Sequence, residues 1–349
     1  MGLQCNVRCS MCYQVDFSPA SQLPEIVWKD RLRPAYAVAK RLTIQGGEPT
    51  IMKNCRELLA LVRKEYPELK LQTVTNGQVF DTLWEEAFLA QGDHLNFSIN
   101  SVRSEVYKQL VRYGQHEKVI GNMERMVRRK RETGSDVVIR ASTVILEETW
   151  EELPEFIQWG ADHGLDEVIF LLDPTLIPRT PQPSAVRQRI QEAYAVADRN
   201  PHLRVIHLTD FDAYYARAKD IEPVRPSPAG TSFLRECPLA FNMLFVDHLG
   251  WARPCCKSWY PYGNLKTTSV EEIWNGSRAA RFRKRIRQKN YRDCLQSCDL
   301  NTNPASDIVA NAHRAYWAWR RDPQNVIKKG LRKLGLTSAQ KKPPKAEKE

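Results

Sequence analysis

Apolar positions along residues 41–208 alternate between two spacings. Short runs of β-branched and apolar residues are each followed by a longer stretch with apolar residues at helical spacing. The predicted strands are RLTIQ (41–45), LKLQTVT (69–75), HLNFSI (94–99), DVVIRASTVI (136–145), DEVIFLL (166–172) and LRVIHL (203–208). The clearest predicted helices are Cys55–Glu65, Thr82–Ala90, Val119–Glu132 and Trp150–His163. This alternation predicts an α/β fold with a parallel sheet, either open or curved into a full or partial barrel.

The pattern changes after the last predicted strand. The segment PVRPSPAGTS is rich in proline and small residues, which indicates a linker and a domain boundary near residue 225. Residues 225–305 hold short, turn-rich elements and five of the nine cysteines. From residue 306 to 349 we expect one amphipathic helix and a basic, disordered tail. The sequence therefore divides into 1–224, 225–305 and 306–349.

Charge and hydropathy narrow the possible surroundings. The net charge is +11, which favours anionic partners, and the basic tail is the candidate surface for such a contact. No apolar run approaches the roughly 18 residues of a membrane span, and the first residues lack the apolar stretch of a signal peptide. We therefore expect a cytoplasmic protein, where clustered cysteines more often bind metal than form disulfides.

Three cysteines, Cys5, Cys9 and Cys12, lie within eight residues of one another. A four-iron cluster normally takes four thiolates, so three local ligands could hold such a cluster and leave one iron open to a cofactor or substrate. Structural zinc is the alternative, although it takes four ligands and no fourth cysteine or histidine is near this loop. Spacing alone favours iron–sulfur and leaves zinc open.

The segment CNVRCSMCY, which ends in Tyr13, resembles the cysteine loop of radical S-adenosylmethionine (radical SAM) enzymes. The resemblance implies a partial (β/α)6 TIM-like barrel and a four-iron cluster whose open iron binds the amino and carboxylate groups of S-adenosylmethionine. Reductive cleavage of that cofactor would yield a 5′-deoxyadenosyl radical that abstracts a substrate hydrogen. An external electron donor similar to flavodoxin or ferredoxin is implied as a partner.

Further motifs follow the predicted strands and fit the same resemblance. Gly46, Gly47, Glu48 and Pro49 match the family's GGEP motif, which implies contact with the cofactor's amino group. The two glycines would also allow the backbone to approach a ligand closely. Without the cysteine loop, the same residues would indicate only a turn from strand to helix.

Four further positions are candidates for the cofactor site. Asn76 lies in a Thr-Asn-Gly segment that resembles the family's TNG, although Asn-Gly is also a common turn. Ser98 is expected near the cofactor's ribose, and Asn100 stands where relatives often carry an aspartate. Arg140 interrupts an apolar strand, so it either lines the cofactor site or pairs with a charged neighbour.

The start of the chain departs from the family pattern. An apolar strand precedes the cysteine loop in the family, but only Met1–Gln4 precede Cys5 here. We therefore expect that the true start lies upstream or that the chain is a fragment, and that one sheet edge beside the loop is unprotected.

The later cysteines form a second candidate metal site. FVDHLGWARPCC predicts a β-hairpin with Cys255 after its second strand, and spacing alone does not separate structural zinc from iron–sulfur there. The arrangement resembles the SPASM domain, or its shortened twitch form, which implies one auxiliary four-iron cluster. We assign Cys237, Cys255, Cys294 and Cys298 as its ligands and leave Cys256 as a spare thiol or a substitute ligand.

Two functions remain in competition at this point. The first is a radical SAM oxidoreductase or maturase that performs net oxidation or crosslinking of a small molecule, a sugar or a peptide delivered by a carrier. The second is a zinc-stabilised nucleic-acid-binding protein, which the positive charge favours. Iron and sulfide in near-equal amounts distinguish the first from a colourless zinc protein.

Overall fold

The protein is described by a computed structural model that covers residues 1–14, 17–172, 176, 178–225 and 237–294, with 319, 323–324 and 326–327 beyond them. Cys298, Trp317 and nearly all of the basic tail lie outside the described residues, as does most of the proposed linker. The boundaries near 225 and 306 therefore stay predictions.

The main sheet has six parallel strands in the order β2-β3-β4-β6-β7-β8. Each predicted strand is present to within two residues at either end. A separate antiparallel pair joins the cysteine loop to a later segment. The strands are β1 (Arg8–Cys9), β2 (Arg41–Ile44), β3 (Lys70–Thr75), β4 (Gly92–Ser98), β5 (Val111–Arg112), β6 (Val138–Val144), β7 (Glu167–Leu171) and β8 (Arg204–Ile206).

Helices connect these strands and cover one face of the sheet. The four predicted helices are confirmed, the last of them preceded by a short 3-10 turn, Trp150–Glu152. The helices of this part are α1 (Arg33–Val38), α2 (Lys53–Glu65), α3 (Thr82–Gln91), α4 (Ser104–Leu110), α5 (His116–Thr133), α6 (Leu153–Asp162), α7 (Pro183–Arg199) and α8 (Leu208–Lys219).

Strand alternation divides apolar from polar side chains across the sheet. In β4, Leu95 and Phe97 are fully buried, and the Phe97 ring meets Phe80 edge-on at 5.3 Å. Asn96 and Ser98 point to the opposite face, because successive residues of a strand alternate sides. The α/β architecture with a parallel sheet is therefore confirmed, and its carboxyl edge is where chemistry is expected. Cys55 is a fully buried core thiol, as its helical spacing predicts.

A smaller unit follows, built on three short antiparallel strands in the order β11-β10-β9. The predicted hairpin is present as β9 (Phe245–Val246) and β10 (Trp251–Arg253), and β11 is Gly263–Asn264. Helix α9 (Leu239–Asn242) precedes them, and α10 (Val270–Asn275) and α11 (Ser277–Arg287) follow. Ser269 begins α10 with a capping box to Glu272. Within the described ranges, no helix combines the length and hydropathy needed to cross a membrane.

Candidate active site

The cysteine loop is fastened to the body of the fold by backbone pairing. Cys9 pairs with Val111 in the short antiparallel ladder, and the Ser10 N–H donates to the Leu110 carbonyl at 2.8 Å. The Arg8 guanidinium donates to the Cys5 carbonyl at 2.8 Å and stacks on Phe17 at 3.8 Å. The three thiols are therefore presented by an ordered loop.

The thiols of this loop destabilise one another as anions. Burial raises the pKa of Cys9 to about 12, and the charges of Cys12, Cys5 and Glu48 contribute to the rise. Burial also raises the pKa of Cys5. Three thiolates this close to a carboxylate are unfavourable unless a positive group joins them, which a cluster of iron ions supplies.

The turn after β2 packs directly against the residues that lead into the loop. The Gly47 N–H donates to the Gly2 carbonyl at 2.9 Å, and the Glu48 N–H donates to the Gln4 carbonyl at 2.7 Å. A Cβ on Gly47 would lie 2.2 Å from the Gln4 carbonyl oxygen, so this close approach requires glycine. The predicted GGEP segment, Gly46 to Pro49, therefore positions the start of the cysteine loop.

Glu48 is 1% exposed, and its carboxylate accepts hydrogen bonds from the segment that follows β2 and from the end of β3. Its Oε1 accepts from Thr50 N, Thr50 Oγ1 and Thr75 Oγ1 at 3.1, 2.8 and 2.7 Å. Its Oε2 accepts from the Asn76 N–H at 2.6 Å. Burial raises the pKa of Glu48, and these donors counteract the rise. A role for this carboxylate towards an ammonium group stays a prediction.

Asn76 links the end of β3 to the cysteine loop. Its side-chain amide donates to Asn6 Oδ1 at 2.7 Å and lies 3.8 Å from Cys5 Sγ. The structure thus brings Asn76, Glu48 and the cysteines together at one edge of the sheet. Gly77, next in the chain, has φ of +68°, which explains the Asn-Gly pair in structural terms.

Ser98 and Asn100 lie at the end of β4, the neighbouring strand. Ser98 pairs with Ser142 in the ladder. Asn100 has φ of +62°, and its side-chain amide donates to the Ser98 carbonyl at 3.3 Å. Asparagine tolerates this left-handed conformation better than most residues. The Asn100 side chain therefore holds the turn, and its expected contact with the cofactor stays a prediction.

Arg140 pairs with a charged neighbour on the same face of the sheet. Its Nε donates to Glu167 Oε2 at 2.8 Å, and Nη2 bonds the same oxygen. Arg204 Nη1 lies 2.5 Å from Glu167 Oε1, so one buried carboxylate joins two guanidinium groups. Of the two alternatives for Arg140, the structure shows the charged partner; contact with the cofactor stays a prediction.

Tyr13 and Cys256 bring the two cysteine regions close together. The Tyr13 side chain is 89% exposed, and surrounding atoms raise its pKa by desolvation. The charges of Cys12 and Cys256 raise that pKa further, and Arg253 opposes them, so Tyr13 lies near both cysteine regions. Cys256 itself is exposed.

The other described cysteines of the second region are less exposed than Cys256. Cys255 and Cys294 are buried, and Cys237 is half-buried just before α9. Cys294 reaches the group through a β-bridge with Ser258. The charges of all three raise the pKa of the buried Tyr262, which indicates that they lie in the neighbourhood of its hydroxyl. Cys255 and Cys256 therefore face different surroundings, which favours Cys255 as the ligand.

Several residues at this edge were missed by the sequence analysis. Burial raises the pKa of Tyr107, the charge of Cys9 adds to the rise, and the Tyr107 hydroxyl accepts from Gln78 Nε2 at 3.0 Å. Ser101 Oγ donates to the buried Glu152 carboxylate at 2.8 Å, which fixes the loop after β4. These partners are dozens of residues apart, so no local pattern could have indicated them.

Comparisons with known proteins agree on the family of both regions. The radical SAM superfamily profile matches residues 1–160, and an iron–sulfur cluster-binding SPASM domain matches 237–299. GTP 3′,8-cyclase of Vibrio atlanticus is 26% identical over 171 residues, 45% of this chain and 48% of that protein. A probable GTP 3′,8-cyclase of Pyrococcus abyssi is 30% identical over 125 residues, 35% of this chain and 40% of that protein. The chain spans about half the length of these curated relatives.

Solved structures of similar fold include peptide-bound enzymes. Streptococcus suis SuiB bound to precursor peptide SuiA has a TM-score of 0.59 at 17% identity, covering 81% of this chain and 65% of that one. The anSMEcpe protein with bound AdoMet and Kp18Cys peptide has a TM-score of 0.57 at 14% identity, covering 95% and 97%. At these identities the likeness shows a shared fold.

The residues present fit the cofactors that these families imply, iron–sulfur clusters and S-adenosylmethionine. In the described parts of the chain, no three Cys, His, Asp or Glu side chains converge tightly enough for one metal ion. A four-iron cube distributes its thiolates over different irons, so it takes a wider ligand set. The loop of three thiols beside the Asn76 amide is suited to such a group.

Proposed function

Because residues 1–160 match the radical SAM superfamily and residues 237–299 match an iron–sulfur cluster-binding SPASM domain, we propose that this chain oxidises or crosslinks its substrate by hydrogen abstraction. Its cluster and S-adenosylmethionine, when bound, supply a 5′-deoxyadenosyl radical that takes a hydrogen atom from a C–H bond. The observation that carries the proposal is the three-thiol loop, held against Glu48 and Asn76 at the carboxyl edge of the sheet.

In this proposal, Cys5, Cys9 and Cys12 hold the first cluster. Gly46, Gly47 and the backbone up to Pro49 shape the cofactor pocket, and Glu48 supplies negative charge for an ammonium group. Tyr13, Asn76, Ser98, Asn100 and Arg140 are the remaining cofactor contacts. The positions of Asn76, Ser98 and Asn100 at the ends of β3 and β4 support this role, because ligands of parallel sheets bind at that edge.

Cys237, Cys255, Cys294 and Cys298 would hold the auxiliary cluster. Four protein ligands leave no iron open, so this centre would carry electrons rather than bind substrate. A substrate that loses a hydrogen atom and then one electron and one proton is oxidised by two electrons. The second centre would accept that electron and pass it to an external carrier of the flavodoxin or ferredoxin class.

The substrate class is a small molecule, a sugar or a peptide brought by a carrier. A peptide is supported by the neighbours, since SuiB and anSMEcpe are described with bound peptides. The curated GTP 3′,8-cyclases support a small molecule to a lesser degree, because their similarity covers only about half of each protein. Both family matches favour this enzyme over a zinc-stabilised nucleic-acid-binding protein.

The test is formation of 5′-deoxyadenosine by anaerobically reconstituted protein with S-adenosylmethionine and dithionite. We expect the nucleoside from wild type and at least about a thousandfold less from Cys9→Ala, since losing a cluster ligand removes the cofactor chemistry. The control is Cys55→Ala, which removes a buried thiol that is not part of the Cys5–Cys12 loop. Equal nucleoside from wild type and Cys9→Ala would reject the proposal.

A further inference from the structure

Two buried hydrogen-bond donors stand beside the second cysteine group without an acceptor. The Tyr262 hydroxyl is buried and has no hydrogen-bond partner. Arg283 donates through Nε to the Ala240 carbonyl at 3.0 Å and through Nη1 to the Trp274 carbonyl at 2.8 Å, but its buried Nη2 has no partner. The Arg283 guanidinium lies 6.0 Å from the centre of the Tyr262 ring, so the two groups are neighbours.

Backbone and ring contacts fix the position of Tyr262. Its N–H donates to the Ala252 carbonyl at 2.8 Å, which places it beside β10 and close to the cysteine that follows this strand. Its ring meets Phe282 of α11 edge-on at 5.9 Å. The side chain is 3% exposed, so the hydroxyl has little access to bulk water.

Three cysteines lie near enough to this hydroxyl for their charges to act on it. Burial raises the pKa of Tyr262, the guanidinium of Arg283 lowers it, and the charges of Cys255, Cys237 and Cys294 raise it. A tyrosine hydroxyl ordinarily has a pKa of about 10, so at neutral pH it carries a proton that it can donate in a hydrogen bond.

An unmet buried donor costs about 1–3 kcal/mol, and native proteins leave few such groups unpaired. Two such donors side by side, on Tyr262 and Arg283, indicate an electron-rich acceptor. The sulfides and thiolates of an iron–sulfur cluster are acceptors of this kind, and hydrogen bonds to them help to set the reduction potential. A donor stabilises the reduced cluster more than the oxidised one, because the reduced cluster is more negative.

We propose that Tyr262 donates a hydrogen bond to a sulfur of the auxiliary cluster, with the Arg283 charge beside it, and thereby raises the reduction potential of that cluster. The inference rests on the proposed function, in which Cys237, Cys255 and Cys294 are ligands of that cluster. A raised potential makes the second centre a better acceptor for the electron that the substrate gives up.

The test is an anaerobic redox titration of the full chain followed by electron paramagnetic resonance. The background carries Cys5→Ala, Cys9→Ala and Cys12→Ala, so that only the auxiliary cluster contributes. We expect Tyr262→Phe to shift the reduction equilibrium about tenfold towards the oxidised form, which is about 59 mV for one electron. Tyr260→Phe is the matched control, since Tyr260 is also a buried tyrosine whose ring packs on Phe282.

The second measurement is exchangeable-proton coupling to the reduced cluster in D2O. We expect one coupling that is lost in Tyr262→Phe and kept in Tyr260→Phe. If Tyr262→Phe fails to take up iron, 3-fluorotyrosine at 262 replaces it; its stronger donor should shift the equilibrium towards the reduced form. An intact auxiliary cluster with an unchanged potential, or a coupling retained in Tyr262→Phe because water is the donor, would overturn the inference. Absence of any auxiliary cluster would instead overturn the proposed function.

Discussion

The two cysteine regions differ in how the chain assembles them. The first takes three thiols from one loop of eight residues, fastened to the carboxyl edge of a parallel sheet. The second gathers thiols from segments that are up to 57 residues apart between Cys237 and Cys294, on a small antiparallel sheet. A short loop supplies too few ligands to close a four-iron cluster, whereas separated segments can supply all four.

Their electrostatic surroundings also differ. Glu48 is a buried carboxylate whose charge acts on Cys5 and Cys9 of the first group. The second group has the Tyr262 hydroxyl and the Arg283 guanidinium beside it, and the buried Arg253 near Cys255. Negative charge favours an oxidised cluster and donors favour a reduced one. In the proposed function, this difference would suit the first site to give an electron and the second to receive one.

The largest expected effect separates the two centres by removing one of them. In Cys294→Ser we expect iron to fall from about eight to about four atoms per chain, since one four-iron cluster is lost. Formation of 5′-deoxyadenosine in the absence of substrate should continue, because the first loop is untouched. Iron analysis and product chromatography measure both quantities. Cys256→Ser is the control and should keep all of the iron; a loss of iron there equal to that in Cys294→Ser would contradict the ligand choice.

The next effect tests the negative charge at the first site. In Glu48→Gln we expect S-adenosylmethionine to bind about 10- to 100-fold more weakly, because a charge-assisted hydrogen bond contributes about 1.5–3 kcal/mol. Equilibrium dialysis with reconstituted protein measures the affinity. Thr50→Val removes one donor to Glu48 but keeps the carboxylate, so it should bind nearly as wild type does. Equal affinity in wild type and Glu48→Gln would remove Glu48 from the cofactor site.

A smaller effect tests the close approach of the turn to the loop. In Gly47→Ala we expect a loss of about 1–3 kcal/mol in the free energy of unfolding, because the new Cβ would meet the Gln4 and Leu3 backbone. Urea denaturation measures the change. Gly121→Ala in α5 is the control: no atom lies within 4 Å of its added Cβ, and a gain of about 0.5–1 kcal/mol is expected there. If both variants are stabilised, the turn is looser than the structure indicates.

The smallest effect concerns Glu152, which holds the loop after β4. Burial raises its folded pKa above the ordinary 4.5, so the folded state binds more protons than the unfolded state. Its contribution to stability is therefore full below pH 4.5 and is lost as the pH rises through the folded pKa. Urea denaturation across this range should show wild type losing stability relative to Glu152→Gln with rising pH. Parallel curves would contradict this, and Glu151→Gln, next to it and exposed, serves as the control.

Local patterns predicted most of the first region. The strands and the motifs that follow them were predictable because alternation and helical spacing are patterns over a few residues. Asn76, for example, directly follows Thr75, the last residue of β3. The partner of Arg140 was not identifiable, since Glu167 is 27 residues away and meets it only through the register of β6 and β7. Arg140 itself could be recognised only as a polar residue in an apolar strand.

The second region was less predictable for the same reason. Cys255 and Cys256 are neighbours in the chain and chemically identical, yet Cys255 is buried and acts on Tyr262, whereas Cys256 is exposed and acts on Tyr13. The sequence carries no local pattern that distinguishes the two thiols. The sequence did not indicate the buried donors Tyr262 and Arg283, because whether a buried donor finds an acceptor depends on the packing of the folded chain.

The most direct test of the account is Mössbauer spectroscopy of the anaerobic, 57Fe-reconstituted protein before and after S-adenosylmethionine is added. The account predicts that one iron in the Cys5–Cys12 loop changes its coordination with the cofactor, while every iron of the other centre stays as it was. A colourless protein with a closed, four-coordinate zinc ion in that loop, or a spectrum that the cofactor does not alter, would contradict it.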